Sequence, residues 1–107
     1  MYKMNFVFAK RGMCRYISHL DLMRLFARAF RRADLPLKLT QGFNPHPKLS
    51  LKRALKLGLE SEGEEATVYF RDFLKAEDFM ERLKAQLPEG LEIISASLLN
   101  PYIHPGH

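Results

Sequence analysis

The sequence predicts an α+β domain of order β-α-β-β-α-β, with one antiparallel sheet and two helices on one face. Three observations carry that expectation. Residues 18–33 and 75–87 repeat their apolar side chains at helical spacing. Residues 2–9, 66–71 and 91–98 have strand lengths and strand compositions. Between the first helix and the second, a run of odd-numbered leucines marks extended chain with one buried face.

The first strand spans Tyr2 to Ala9. Tyr2, Met4, Phe6 and Phe8 fall on one face and Val7 and Ala9 on the other, so both faces are apolar and the strand is expected in the sheet centre. Lys10-Arg11-Gly12 ends it. The first helix runs from Ser18 to about Ala33, with Ser18 as N-cap and Asp21 three residues on. Leu22, Leu25, Phe26, Ala29, Phe30 and Ala33 share its apolar face. Pro36 excludes further helix. Leu37 to Thr40 reads as short extended chain. Leu49, Leu51, Leu55, Leu57 and Leu59 alternate with polar residues, and Glu60 to Glu65 reads as a turn. Thr67, Val68, Tyr69 and Phe70 make the third strand. Lys75 to Leu87 is the second helix, ended by Pro88-Glu89-Gly90, and Leu91 to Leu98 is the last strand. This order matches a ferredoxin-like plait whose second sheet face is open to a partner or a further domain. One domain over 1–99 and a flexible tail over 100–107 are expected.

The 107 residues are 47% hydrophobic, an ordinary globular fraction. The one cysteine, Cys14, excludes an internal disulfide and any multi-cysteine metal site. No signal-like apolar run opens the chain and no stretch of about 18 apolar residues exists, so no membrane span and a cytoplasmic location are expected. The net charge of +5 is unevenly spread. From Lys10 to Lys56 twelve Lys/Arg face only Asp21 and Asp34, a net of +10. From Leu57 onward four Lys/Arg face ten Asp/Glu, a net of −6. Such segregation suggests a surface made for an anionic partner; the structural alternative is two solvated faces that attract each other.

Three constellations carry candidate chemistry. At the start of the first helix, Arg15, Ser18 and His19 follow a loop, where free N–H groups favour anions; Asp21 competes for that positive end. His19 projects to the apolar side of the helix and could face the 41–48 loop, or be a satisfied core histidine. Arg24, Arg28 and Arg31 fall within about a 60° arc opposite the apolar face. This stripe can pair with phosphate oxygens, although a solvated face is the usual fate of such charges. Thr40 to Lys48 reads Thr-Gln-Gly-Phe-Asn-Pro-His-Pro-Lys and has neither helix nor strand periodicity. Pro45 and Pro47 stiffen it, Gly42 permits unusual backbone angles, and Gln41, Phe43, Asn44, His46 and Lys48 are groups suited to reading a ligand. Phe43 could stack on a base and Gln41 and Asn44 could pair with base edges. Lys48, Lys52, Arg53 and Lys56 would track a phosphate backbone, with Tyr69 and Arg71 extending a platform on the open sheet face. The structural alternative is a turn in which Asn44 caps its own backbone. Cys14, His19, His46, His104 and His107 match no zinc spacing, so no metal is expected. No phosphate-binding glycine loop, dinucleotide fingerprint or nucleophile elbow is present.

Arg15-Tyr16-Ile17-Ser18-His19-Leu20-Asp21-Leu22-Met23-Arg24, Phe30-Arg31-Arg32-Ala33, Leu35-Pro36-Leu37, Gln41-Gly42-Phe43-Asn44-Pro45-His46-Pro47-Lys48 and Leu57-Gly58-Leu59-Glu60-Ser61 together resemble the DUF2344 family, also called radical SAM-linked proteins. The resemblance covers about residues 2–98 and corresponds to the N-terminal half of the family's domain. It implies that Ser18, His19, Asp21, Gln41, Gly42, Asn44, Pro45, His46, Pro47 and Lys48 belong to the family motif, and that the partner is a radical SAM enzyme. The chain lacks the three-cysteine signature of such enzymes, so it would be the accessory part. No cofactor of its own is expected.

The leading expectation is therefore a non-catalytic RNA-binding module that holds a tRNA or rRNA segment for a radical SAM protein. Two other functions compete with it. One is metal-independent RNA cleavage by His19 or His46, by fold-level analogy with CRISPR repeat-processing endonucleases. The other is a protein-interaction half-domain.

Overall fold

The computed structural model describes residues 1–54 and 56–99. Four strands, two α-helices and one 3-10 turn follow in the order β1 (Tyr2–Lys10), the 3-10 turn (Gly12–Tyr16), α1 (His19–Arg32), β2 (Leu49–Leu51), β3 (Ser61–Phe70), α2 (Ala76–Lys84) and β4 (Leu91–Leu99). The sheet order is β2-β3-β1-β4 and every pair is antiparallel. This is the ferredoxin-like plait, with β1 central as its two apolar faces require. The expected tail over 100–107 lies outside the described residues.

One face of the sheet carries the core. Met4, Phe6, Phe8, Ala66, Val68 and Phe70 are buried there against Leu22, Phe26 and Phe30 of α1 and Phe79 and Leu83 of α2. Phe6 meets both helices, with ring centroids 5.7 Å from Phe26 and 5.4 Å from Phe79. Both helices therefore cover the same sheet face. The other face presents Asn5, Thr67, Ser95 and Ser97 in a groove of about 550 Å³, where the Thr67 hydroxyl donates to Asn5 Oδ1 at 2.9 Å.

Local chemistry sets the ends of α1. Ser18 is extended and its Oγ accepts from Asp21 N at 3.2 Å, which satisfies one free donor of the first turn. At the other end, Asp34 takes a left-handed conformation (φ 54°). Asp34 N donates to Arg31 O and Leu35 N to Phe30 O, the bonding of a Schellman cap closed by aspartate where glycine is usual.

The second and third strands depart from expectation. Leucine alternation continues to Leu59, yet pairing stops at Leu51, and Leu57 and Leu59 are exposed. The chain leaves the edge at Lys52, whose N–H donates to Glu65 O at 2.9 Å. From Ser61 on, the expected turn over Glu60–Glu65 is instead the first half of β3, paired with β1 from Lys10↔Ser61 to Val7↔Glu65. A long-range cluster explains the difference. Glu64 is 5% exposed and accepts from Arg53 Nε and Nη2 at 3.0 and 2.9 Å and from Ser61 Oγ at 2.8 Å. Lys10, 1% exposed, donates to Lys56 O at 3.1 Å beside it. The glutamate-rich segment thus finds its cations across the fold, and Arg53 and Lys56 are fastened beside the end of β1.

Candidate functional site

The aperiodic loop is an excursion from the sheet edge. Its two legs run antiparallel: Thr40 N donates to His46 O at 2.8 Å, Lys48 N to Lys38 O at 3.0 Å, and Leu39 bridges Pro47. Both legs also bond to the end of β3, through Lys38 N to Tyr69 O and Tyr69 N to Lys48 O. Neither Pro45 nor Pro47 has an N–H to leave unpaired, and Pro47 is buried at the base. The tip, Gln41 to Pro45, is exposed, and Gly42 has φ 124°, where a side chain would be strained.

Within this frame His46 is held by the loop itself. Its N–H donates to Thr40 Oγ1 at 3.2 Å, and its Nδ1 lies 2.9 Å from Asn44 O and 3.2 Å from Thr40 Oγ1. A carbonyl oxygen only accepts, so Nδ1 carries the proton. In the neutral ring Nε2 is then the free acceptor.

His19, the first residue of α1, meets this loop. A cleft of about 520 Å³ lies between them, lined by His19, Leu20, Met23, Arg24 and Ala27 from α1 and by Thr40, His46, Pro47, Lys48 and Leu49 from the loop and its exit. His19 Nδ1 is buried and has no hydrogen-bond partner among the described residues. Such a group costs about 1–3 kcal/mol unless something polar reaches it. The two most distinctive sequence segments therefore form opposite walls of one site.

Along the crest of α1, Arg24, Arg28 and Arg31 are exposed and continue from the cleft lip at helical spacing. Arg24 reaches Asp21 at 3.5 Å across two exposed side chains, a weak tie. Arg28, Arg31 and Arg32 make no ion pair among the described residues. Lys48 Nζ stands 4.7 Å over the Tyr69 ring, a cation–π contact that leaves its donors accessible.

Other expected site residues go elsewhere. Lys52 is bound to Glu65 at 2.7 Å and Arg53 to the buried Glu64, so neither is a free cation along a backbone track. Hydrogen bonds from Arg53 hold the Glu64 carboxyl below the usual range, and the pair fastens Arg53 to β3. Arg11 is likewise committed to Glu62 and Glu92, and hydrogen bonds from Arg11 lower the Glu62 carboxyl. Arg15 donates to Gly12 O at 2.8 Å and stacks on Tyr16, bracing the 3-10 turn. Ser18 serves as the helix cap. Gln41, Phe43 and Asn44 sit on the exposed tip and do not line the cleft; Phe43 is fully exposed. Thr40, Met23 and Ala27 were not among the expected site residues. Met23 and Ala27 could have been found from the helical wheel, since they flank the arginine stripe on the His19 side. Cys14 is buried, which raises its thiol above the ordinary value. Among the described residues no group of three His, Cys, Asp or Glu is placed to hold a metal ion, and no helix is long and apolar enough to cross a membrane.

Fold and site together define a small plait with one cationic, partly apolar cleft beside a proline-braced loop. By sequence the chain belongs to DUF2344, a family of uncharacterized proteins conserved in bacteria, which it matches over residues 3–103. No curated protein matches it.

Proposed function

We propose that the protein is a non-catalytic RNA-binding module of the cytoplasm, which presents a tRNA or rRNA segment to a radical SAM enzyme. One observation carries the RNA part. Among the described residues the arginine crest of α1 has no acidic partner apart from the weak Asp21 contact, and it leads directly into the cleft that joins the two motif segments. Other cations of the basic half are spent inside the fold on Glu62, Glu64, Glu65 and Glu92, whereas this row is left to solvent. Guanidinium groups one helical turn apart suit phosphate oxygens along a strand. The choice of partner enzyme is supported by the resemblance to radical SAM-linked proteins, and the cytoplasmic setting by the single reduced-type cysteine.

The test is retention of labelled RNA on a filter as salt is raised. Wild type should bind with a slope of log K against log salt near −2, since each neutralised phosphate of a single strand contributes about 0.7. Arg24→Glu, Arg28→Glu and Arg31→Glu combined should abolish retention. Unchanged retention by the triple variant removes the crest from the site.

A second function, metal-independent RNA cleavage, is favoured by one feature: His46 Nε2 is a free acceptor in a cleft with His19. Incubation of labelled RNA with the protein in EDTA distinguishes the two. Intact RNA fits binding, and discrete products lost in His46→Ala fit catalysis.

A further inference from the structure

Phosphate recognition explains the crest but not the cleft beside it. Leu20, Met23, Ala27, Pro47 and Leu49 give that cleft mainly apolar walls, and a site for phosphate alone would gain nothing from them. We infer that the cleft takes one unstacked nucleobase of the bound RNA, an assignment that rests on the RNA-binding function proposed above.

Three observations converge on a base. First, the volume of about 520 Å³ lies within the range of small-molecule sites and opens between a helix and a loop already braced by its own hydrogen bonds. Second, the polar groups in it are few and directional. The His19 ring lines one wall, and in the neutral His46 ring Nε2 is the acceptor because Nδ1 is committed to Asn44 O. A donor on a base edge can satisfy His46 Nε2, while the base faces lie against the apolar walls; imidazole rings are themselves stacking partners for bases. Third, Arg24 stands at the lip, and from it Arg28 and Arg31 continue outward. A nucleotide seated in the cleft would thus have its backbone phosphates on the crest. RNA is read in this way when bases are splayed from a loop or a single strand, which predicts selectivity for unpaired RNA over duplex.

The test compares labelled single strands of rA, rC, rG and rU with an abasic ribose-phosphate strand of the same length and charge, by fluorescence anisotropy on the wild-type protein. At least one base-bearing strand should bind roughly tenfold or more tightly than the abasic strand. Ala27→Phe, which fills the cleft from α1 while leaving the arginines in place, should bring that strand down to the abasic level. Equal binding of abasic and base-bearing strands overturns the base slot while RNA binding stands. A base preference that survives in Ala27→Phe also overturns it, because the base is then held elsewhere. Failure of every strand to bind overturns the RNA-binding function itself, and the slot with it. Should Ala27→Phe not fold, competition by free nucleosides decides on the wild type. Displacement of the strand by adenosine, cytidine, guanosine or uridine supports the slot, and no displacement by any of them at millimolar concentration overturns it.

Discussion

Replacing Gly90 by alanine should be among the most damaging single changes in this protein. Gly90 lies between α2 and β4 with φ 102°, and its carbonyl accepts from Arg11 N at 2.7 Å. A Cβ built there would lie 2.6 Å from Arg11 O and 2.8 Å from Cys14 Sγ. Neither neighbour is free to retreat. Arg11 O already accepts from Cys14 N at 3.1 Å, and Cys14 Sγ lies 3.2 Å from Glu89 O. The left-handed backbone costs an L-residue about 1–2 kcal/mol. Overpacking adds about 1–3 kcal/mol. The reduced entropy of the unfolded alanine chain offsets about 0.4–1 kcal/mol. A net loss of about 1–4.6 kcal/mol follows, which for a domain of this size is a fall in Tm of roughly 5–25 °C. Circular dichroism melting and urea titration of wild type and Gly90→Ala measure it. A variant within about 0.5 kcal/mol of wild type would refute the steric account and with it the tight docking of the 3-10 turn on the start of β4.

Three further outcomes follow from named contacts. The Glu64 carboxyl has its pKa lowered in the fold, first by the hydrogen bonds from Arg53, so its contribution is present above the unfolded carboxyl value of about 4.3 and is lost as pH falls below it. Melting temperature should therefore drop more steeply between about pH 5 and 3 in wild type than in Glu64→Gln, and parallel curves would exclude the pair as a stabilising group. Asp34→Gly should raise stability by about 0.5–1 kcal/mol in urea titration, because glycine takes the left-handed cap without the Cβ penalty; a loss would show that the aspartate side chain earns its place there. Nitrogen-15 NMR of the free protein at neutral pH should find the His46 imidazole protonated on Nδ1, as its bond to Asn44 O requires, and a predominant Nε2–H form would contradict the loop geometry.

Much of this fold was legible because its signals are local. The apolar stripe of α1, the alternation in β1 and the Ser18 cap lie within a few residues of sequence and depend on backbone period alone. The helical wheel put His19 on the apolar side of α1 and left two readings open, the loop or the core; the structure places it against the loop. What failed was decided by partners far along the chain. Four glutamates between Glu60 and Glu65 resemble a solvated turn, and only the folded chain shows Glu64 buried under Arg53 and beside Lys10. For the same reason Lys52 and Arg53 resembled free cations. Their acidic partners on β3 are 13 and 11 residues away, beyond any helical or strand repeat. The odd leucines misled because alternation records an extended chain and not what it pairs with; Leu49 and Leu51 face the core, while Leu57 and Leu59 lie on a segment fastened by charges and not by apolar burial. In the loop, residue type suggested one recognition surface, but the hairpin bonds divide it into a tip carrying Gln41, Phe43 and Asn44 and a base carrying His46 and Lys48 at the cleft.

Ultraviolet crosslinking of the protein to cellular RNA, followed by mass spectrometric mapping of the modified peptides, tests the central claim most directly. RNA adducts should fall on peptides containing residues 19–31 and 40–49, the crest and the two walls of the cleft. Adducts confined to the open sheet face around Asn5, Thr67 and Ser97, or no RNA adduct at all, would contradict it.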